Sequence, residues 1–573
     1  MIYFPIQKTA SKLKQPFRQA VTIFLLCVSG ALAAQTLPVK KWDRRYGGNS
    51  IDLLQYASLQ QTSDNGYIMG GYTGSDVSGD KTQPGWGEYD YWVVKTDSNG
   101  VKAWDKRFGG IYNDIMTCLL QTSDGRYLFG GYTASSETGD VSEATRGGLD
   151  YWIVKTYANG EKQWDKRYGG SSSDVMNTLV QTFDGGYILG GYSASGADGD
   201  KSRGNQGSND FWVVKIDTAG VKEWDSTFGG TGDDQLFGIW QTADSGYILG
   251  GHTTSAKSGD VTQDSRGGVD YWIVKITKKG TKQWDARFGG TANDVFTVIQ
   301  QTRDNGYILG GYSSSPISGD KTQPNWDVNN ISNDYWIVKT DSLGVKEWDR
   351  RFGNNAEDFL YTIQQKLLGF ILGGYSDSNI GGDKTVDNQG GGDYWLVKVN
   401  NDGSKEWDLR YGGSSLDYLM AIGTVREGGY ILGGHSLSGQ GGDKSQGGRG
   451  LQDYWIVRLG YPVTNNEDRD GLDDYGEFIH ETDPFNFDTN GDGLADGVNV
   501  FLGLNPLSTD TDGDGIPNTQ ETQNGTIPLF KDTDGDGVAD NQDPFPLDRY
   551  RAKLTPKKPS DHKAPVITLQ EPF

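Results

Sequence analysis

The sequence predicts an all-β chain: a seven-bladed β-propeller of four-stranded blades, closed by its N-terminal strand and followed by an irregular array of acidic loops. Three observations carry this. A Trp-Asp pair recurs at Trp42, Trp104, Trp164, Trp224, Trp284, Trp348 and Trp407, with steps of 59 to 64 residues, and self-similarity at a fixed period marks a repeat architecture. Each pair opens the same run of short strand-like segments and Gly-rich turns, with no helical periodicity between them. Further on, four twelve-residue acidic loops begin 22 residues apart, at Asn466, Asp488, Asp510 and Asp532.

In chain order, residues 1–34 read first as a secretory signal. Lys8, Lys12, Lys14 and Arg18 precede an apolar run from Ala20 to Leu32, and Ala31-Leu32-Ala33 offers a small-residue cleavage site. The apolar run is short of the ~20 residues that span a bilayer, so no transmembrane segment is expected after cleavage. Leu26 before Cys27 argues against a lipid-anchored signal. Cleavage leaves Cys118 as the one cysteine, which excludes a disulfide within the chain. The expected location is secreted or on the cell surface.

Residues 35–460 hold the repeats. Each unit runs W-D-x-x-[FY]-G, then an Asp (Asp52, Asp114, Asp174, Asp234, Asp294, Asp358, Asp417), an apolar strand ending near Gln-Thr, and the strand YILGGY. A polar loop carrying Gly-Asp follows, and then D-[YF]-W-[IVL]-V-[KR]. Asp64-Asn65-Gly66, Asp184-Gly185-Gly186 and Asp304-Asn305-Gly306 supply the positive φ that tight antiparallel turns need. The first Trp-Asp strand, Lys40 to Tyr46, lacks three strands before it, and the last unit, ending at Val457, lacks one after it. Joining these orphans completes seven blades and removes the open edge.

Fourteen of the seventeen tryptophans fall on two repeat positions, as blade packing requires. The Asp before Tyr-Trp (Asp90, Asp150, Asp210, Asp270, Asp334, Asp393, Asp453) and that of Gly-Asp (Asp80, Asp140, Asp200, Asp260, Asp320, Asp383, Asp443) are expected to pin loops by accepting backbone N–H bonds. His252 and His435 stand where other units have the Tyr of GGY. The Trp-Asp pair does not make this a WD40 chain, whose period is ~40–45 residues with a Gly-His signature. The units W-x-x-x-[FY]-G-G-x-x-x-D, D-x-G-x-Y and G-Y-[ST] resemble kelch-like bacterial propeller repeats of exported proteins, over residues 39–459.

Residues 464–548 carry 21 Asp and Glu against Arg469 and Lys531, a net charge of −19 out of −23 for the chain. The third loop, with Asp510, Asp512, Asp514, the Ile516 carbonyl, Asn518 and Glu521, matches D-x-[DN]-x-[DN]-G-x5-E throughout. Ca²⁺ takes about six to eight oxygen ligands, which such alternating side chains, a carbonyl and a final bidentate Glu provide. The first loop offers Asn466, Asp468, Asp470, Leu472, Asp474 and Glu477; the second Asp488, Asn490, Asp492, Leu494 and Asp496, ending at Asn499. The fourth offers Asp532, Asp534, Asp536, Val538, Asp540 and Asp543. Ca²⁺ is therefore the expected cofactor. Successive loops lie too close for paired EF-hand helices, and Pro484, Pro506 and Pro528 recur in the gaps. The stretch Asn505 to Ile516, N-P-L-S-T-D-T-D-G-D-G-I, resembles bacterial thrombospondin type 3 repeats, which implies a metal-cored string. Residues 549–573 form a basic, Pro-containing tail whose end, Ala564 to Phe573, looks like the first strand of an immunoglobulin-like domain.

The acidic balance repels phosphate backbones, so nucleic acid is not an expected partner. No catalytic constellation stands out, and the expected function is a non-enzymatic, calcium-binding adhesion or binding protein. Its partner would be a glycan, a surface polymer or a protein, and the chain would be monomeric. The rival is a secreted hydrolase or lyase acting on a polysaccharide. Trp86 and Trp326 break the repeat and are either loop packing or a sugar platform.

Overall fold

The alternation in D-Y-W-I-V-K ordinarily gives a strand one buried face, yet here the whole segment is buried, as in Asp150–Thr156. The reason is stacking of one blade on the next. Tyr91 and Val93 pack with Trp152 and Val154 of the following unit, and Tyr151 and Ile153 pack with Trp212 and Val214. The Tyr91 hydroxyl donates to the Trp152 carbonyl (3.0 Å) and that of Tyr454 to Trp92 (2.9 Å), so the last blade grips the first as the others grip their neighbours.

The computed structural model describes residues 37–461, except 330, 367, 368 and 427, together with 468–473, 476–477, 480–483, 486–533 and 537–547. The signal segment, the tail, Asn466, Asp474, Asp534 and Asp536 lie outside the described residues. Seven four-stranded antiparallel sheets form the blades. In the first, Asp52–Gln61, Tyr67–Thr73, Asp90–Thr96 and Lys102–Phe108 follow each other outward from the axis. In the seventh, Val39–Tyr46 pairs with Asp453–Gly460, which confirms closure by the N-terminal strand. The side chain of Asp43 locks it, accepting from the Trp455 indole (3.1 Å) and the Ser445 amide (2.8 Å).

Glycine in the GGY strand follows from this close approach. A Cβ on Gly71 would lie 1.9 Å from the Leu53 carbonyl oxygen. The turns are as expected, with Asn65 at φ 65° and Asn305 at φ 64°. Both sets of repeated aspartates pin loops: Asp90 accepts from the Trp86 amide (2.8 Å), and Asp140 from that of Gly109 (3.2 Å).

The acidic segment is less irregular than its sequence suggests. Two short helices, α1 (Asp496–Leu502) and α2 (Asn518–Asn524), begin inside the second and third loops. They end at Gly503 and Gly525, both left-handed (φ 76° and 83°), which closes a helix within two turns. Pro506 and Pro528 follow these caps, so they bound the helices without interrupting them; Pro484 lies outside the described residues. Among the described residues no helix is long and apolar enough to cross a membrane.

Candidate metal centre and propeller channel

Glycine between acidic residues lets the loop backbone fold back on its own carboxylates. Asp510 accepts from the amides of Gly513 (2.8 Å) and Gly515 (2.9 Å), and Asp488 does the same for Gly491 and Gly493 (both 2.9 Å). In the fourth loop Asp532 accepts from Gly537 (2.7 Å). These bonds bring one oxygen each of Asp510, Asp512 and Asp514 within 4.8 Å of one another, and likewise Asp468, Asp470 and Glu477. The amides of Leu472, Leu494 and Ile516 turn onto Asp470, Asp492 and Asp514, fixing the seventh position of each loop.

The twelfth positions are the decisive ones. Glu477, Asn499 and Glu521 are fully buried, and Asp543 nearly so. Both Glu521 carboxylate oxygens and both polar atoms of the Asn499 amide have no partner. A buried carboxylate without a donor is costly unless a cation meets it. Burial, then the charges of Asp512, Asp514, Asp540 and Asp510, pushes the Glu521 carboxyl up to about 7. Asp512, also with an unpartnered oxygen, is raised by burial and its neighbours. The donors are oxygens throughout, which suits a hard divalent cation such as Ca²⁺.

The loops are also coupled. The fifth-position Asp of one loop reaches the next: Asp470 accepts from Gly497 (3.0 Å), Asp492 from the Asn518 amide group (3.2 Å) and Asp514 from the Asn541 backbone (3.2 Å). Asp496, Asn518 and Asp540, at the ninth position, accept from the second-position threonine of their own loop. Treating each loop as a self-contained unit misses this relay, because the 22-residue spacing places the contact 26 to 27 residues along the chain.

Trp86 and Trp326 lie on the face formed by the Gly-Asp loops, 52% and 38% exposed. The Trp326 indole donates to Asp383 of the next blade (2.8 Å), and Arg351 lies over its ring at 4.5 Å. Arg107 lies over Trp86 at 5.2 Å. The same position in other blades carries Arg146, Gln206, Arg266 and Arg449, which bind Asp200, Asp260, Asp320 and Asp80. At Trp326 and these four residues the position is thus an interblade clamp whose donor varies, whereas beside Trp86 it is Arg107 that binds Asp140 (2.7 Å).

Along the axis the innermost strands enclose a channel with two chambers, of about 410 and 790 Å³, which share Tyr56, Asn177, Phe237, Thr297 and Tyr361 as a waist. Sequence comparison of the repeats passed over this waist. The innermost strands of blades two to seven bulge once, at Thr117, Asn177, Phe237, Thr297, Tyr361 and Met420, whereas that of the first blade breaks register from Leu54 to Leu59. Its innermost strand has 10 residues against 8 in Asp114–Gln121. The signal was in the spacing, since the first Trp-Asp step is longer than the next three. Ala57 in this insertion sits at φ 49°, a left-handed conformation costing an L-residue about 1–2 kcal/mol.

No family model and no curated protein matches this sequence. Among solved structures, the chain is similar to a protein of unknown function from Bacteroides caccae (9% identity, 61% of this chain and 97% of that one, TM-score 0.30). It is also similar to Kuenenia stuttgartiensis hydrazine synthase (10%, 70% and 96%, TM-score 0.38) and the Neurospora crassa Pan2 WD40 domain (7%, 70% and 89%, TM-score 0.35). These likenesses carry nothing about activity.

Proposed function

We propose that this is an exported, calcium-binding, non-enzymatic binding protein. The propeller holds a ligand, a glycan or surface polymer, and the acidic array, a string of thrombospondin type 3-like repeats, is a calcium-stiffened spacer. The single observation that supports the calcium part best is the buried, unpartnered Glu521 carboxylate among Asp510, Asp512 and Asp514. Each Ca²⁺ would cancel two charges and order a loop at once, so binding free energy becomes folding free energy. Exterior calcium keeps even weak sites filled, since extracellular modules bind at about 10⁻⁴–10⁻³ M. Binding is favoured over turnover by the channel, where burial holds the one lining histidine, His252, down at about 4 and so makes it a weak base.

The test is calcium removal from the full chain. EGTA is expected to make residues 464–548 protease-sensitive and extended in scattering while the propeller core persists. Glu521→Ala is expected to weaken calcium binding more than Asn499→Ala, because Asn supplies at most one neutral oxygen. Unchanged proteolysis and scattering in EGTA would remove the calcium reading.

A further inference from the structure

We propose that the ligand site of the propeller is the axial channel at its waist, and that it takes a neutral, hydroxyl-rich ring: a single pyranose or the end of a neutral glycan. This rests on the binding-protein reading above and moves the site from the outer face to the axis.

The first ground is where seven near-identical units stop being identical. The residue three after each innermost Asp is Gln55, Thr117, Asn177, Phe237, Thr297, Tyr361 and Met420 in turn. The residue just before it is always large and apolar, from Leu54 and Met116 to Leu360 and Leu419, and fully buried. Folding requires the repeated position and leaves the bulge free to differ. The second ground is the inserted Tyr56-Ala57. It puts the Tyr56 ring 5.4 Å from that of Tyr361, edge to face, reaching past the seventh blade to the sixth. A backbone held at a positive φ by a non-glycine residue marks a place where shape was kept at a cost to stability.

The third ground is the chemistry of the walls. Among the described residues no Asp, Glu, Lys or Arg lines either chamber, in a chain of net charge −23. Tyr72, Tyr132, Tyr192 and Tyr312 line the upper chamber, which at about 410 Å³ lies in the range of small-molecule sites, roughly 300–1,000 Å³. Tyrosine offers a flat apolar face and one hydroxyl, the pair of features a sugar ring presents in return. The Asn177 side-chain nitrogen donates to the Leu236 carbonyl (2.7 Å), which leaves its oxygen as an acceptor at the waist. A charged ligand would shed its water into these walls with no counter-ion to meet it.

The experiment titrates the full chain, with calcium, against the methyl glycosides of glucose, galactose, mannose and N-acetylglucosamine and their neutral trisaccharides. Calorimetry and saturation-transfer NMR read binding, with glucuronate and phenol as probes of charge and of bare aromatic stacking. At least one neutral glycoside is expected to saturate, with glucuronate tenfold weaker or worse. Tyr361→Ala, and deletion of Tyr56-Ala57 to give the strand length of the other blades, are each expected to weaken binding at least tenfold. Asn177→Thr copies the residue of two other blades, keeps the fold by that precedent, and is expected to weaken binding several-fold. The Trp86→Ala, Trp326→Ala double variant should stay within twofold. Absence of binding to every neutral sugar, equal binding of glucuronate, phenol binding without sugar binding, or well-folded channel variants that bind normally would each overturn the proposal. Loss only in the tryptophan variant would overturn the channel and leave the binding protein standing. Release of shortened product from a trisaccharide would instead overturn the non-enzymatic reading.

Discussion

Arg287→Thr in the fourth blade tests how the repeats neutralise their buried aspartates. Arg287 is fully buried; its Nε donates to Asp270 (2.6 Å) and its Nη1 to the Ser255 carbonyl (2.6 Å). The blades on either side serve the same carbonyl with a lysine: Lys201 donates to the Ser195 oxygen (2.9 Å) and Lys321 to that of Ser315 (2.8 Å). The fourth blade has Val261 where those lysines stand, and the third has Thr227 in place of the arginine. The first, fifth, sixth and seventh blades carry both cations (Lys81 with Arg107, Lys321 with Arg351, Lys384 with Arg410, Lys444 with Arg45), so each blade has at least one and either position can supply it. Arg287→Thr strands the Asp270 carboxylate and a carbonyl in the core, a loss of about 3–5 kcal/mol for one partner of a buried pair. Adding Val261→Lys reproduces the third blade's arrangement and should recover stability to within about 1 kcal/mol of the parent. Val261→Lys alone gives the pair that the fifth blade holds as Lys321 and Arg351 and should leave stability within about 1 kcal/mol of the parent. Urea unfolding of the four proteins, followed by circular dichroism, gives the coupling energy, expected to exceed about 2 kcal/mol. Additive losses, with the double variant less stable than Arg287→Thr, would refute the exchange of one cation for the other.

Two further outcomes are expected. Deleting residues 35–47 removes Asp43 from the Trp455 indole and the Ser445 amide, and should cost at least about 3 kcal/mol and expose Asp453–Gly460 to protease; an unchanged melting and cleavage pattern would contradict the closed ring. The propeller should also melt higher at pH 5 than at pH 8. Burial raises Asp52, Asp294 and Asp358 to about 6 and Asp114 to about 7 from 3.8, so the folded state holds extra protons in that window. Their contribution is full below the unfolded value and is lost as pH rises through 6 to 7. The acid limit is set by Asp105 and Asp285. Burial raises them too, but bonds from Lys102 and Lys282, backbone amides and the Trp92 and Trp272 indoles outweigh it and hold them below 3.8. A melting temperature that rises from pH 5 to pH 8 would contradict this balance.

Much of the architecture was legible in the chain, because a repeat shows each constraint seven times. The Trp-Asp pair, the aspartate before Tyr-Trp and the orphan strand at each end follow from local hydrogen bonding and from the need to leave no edge unpaired. The spacing of Asp510, Asp512, Asp514 and Glu521 likewise needs only one loop to be understood. Tertiary structure alone decided what lies between repeats. Val261 and Arg287 are 26 residues apart in sequence, and nothing local says that one replaces the lysine the other's neighbours use. The reach of Asp492 to Asn518 joins two loops that look independent on the page. The waist is the clearest case. Tyr56 and Tyr361 meet because the ring closes, and a two-residue surplus in one strand becomes a feature of the axis only when seven blades converge on it.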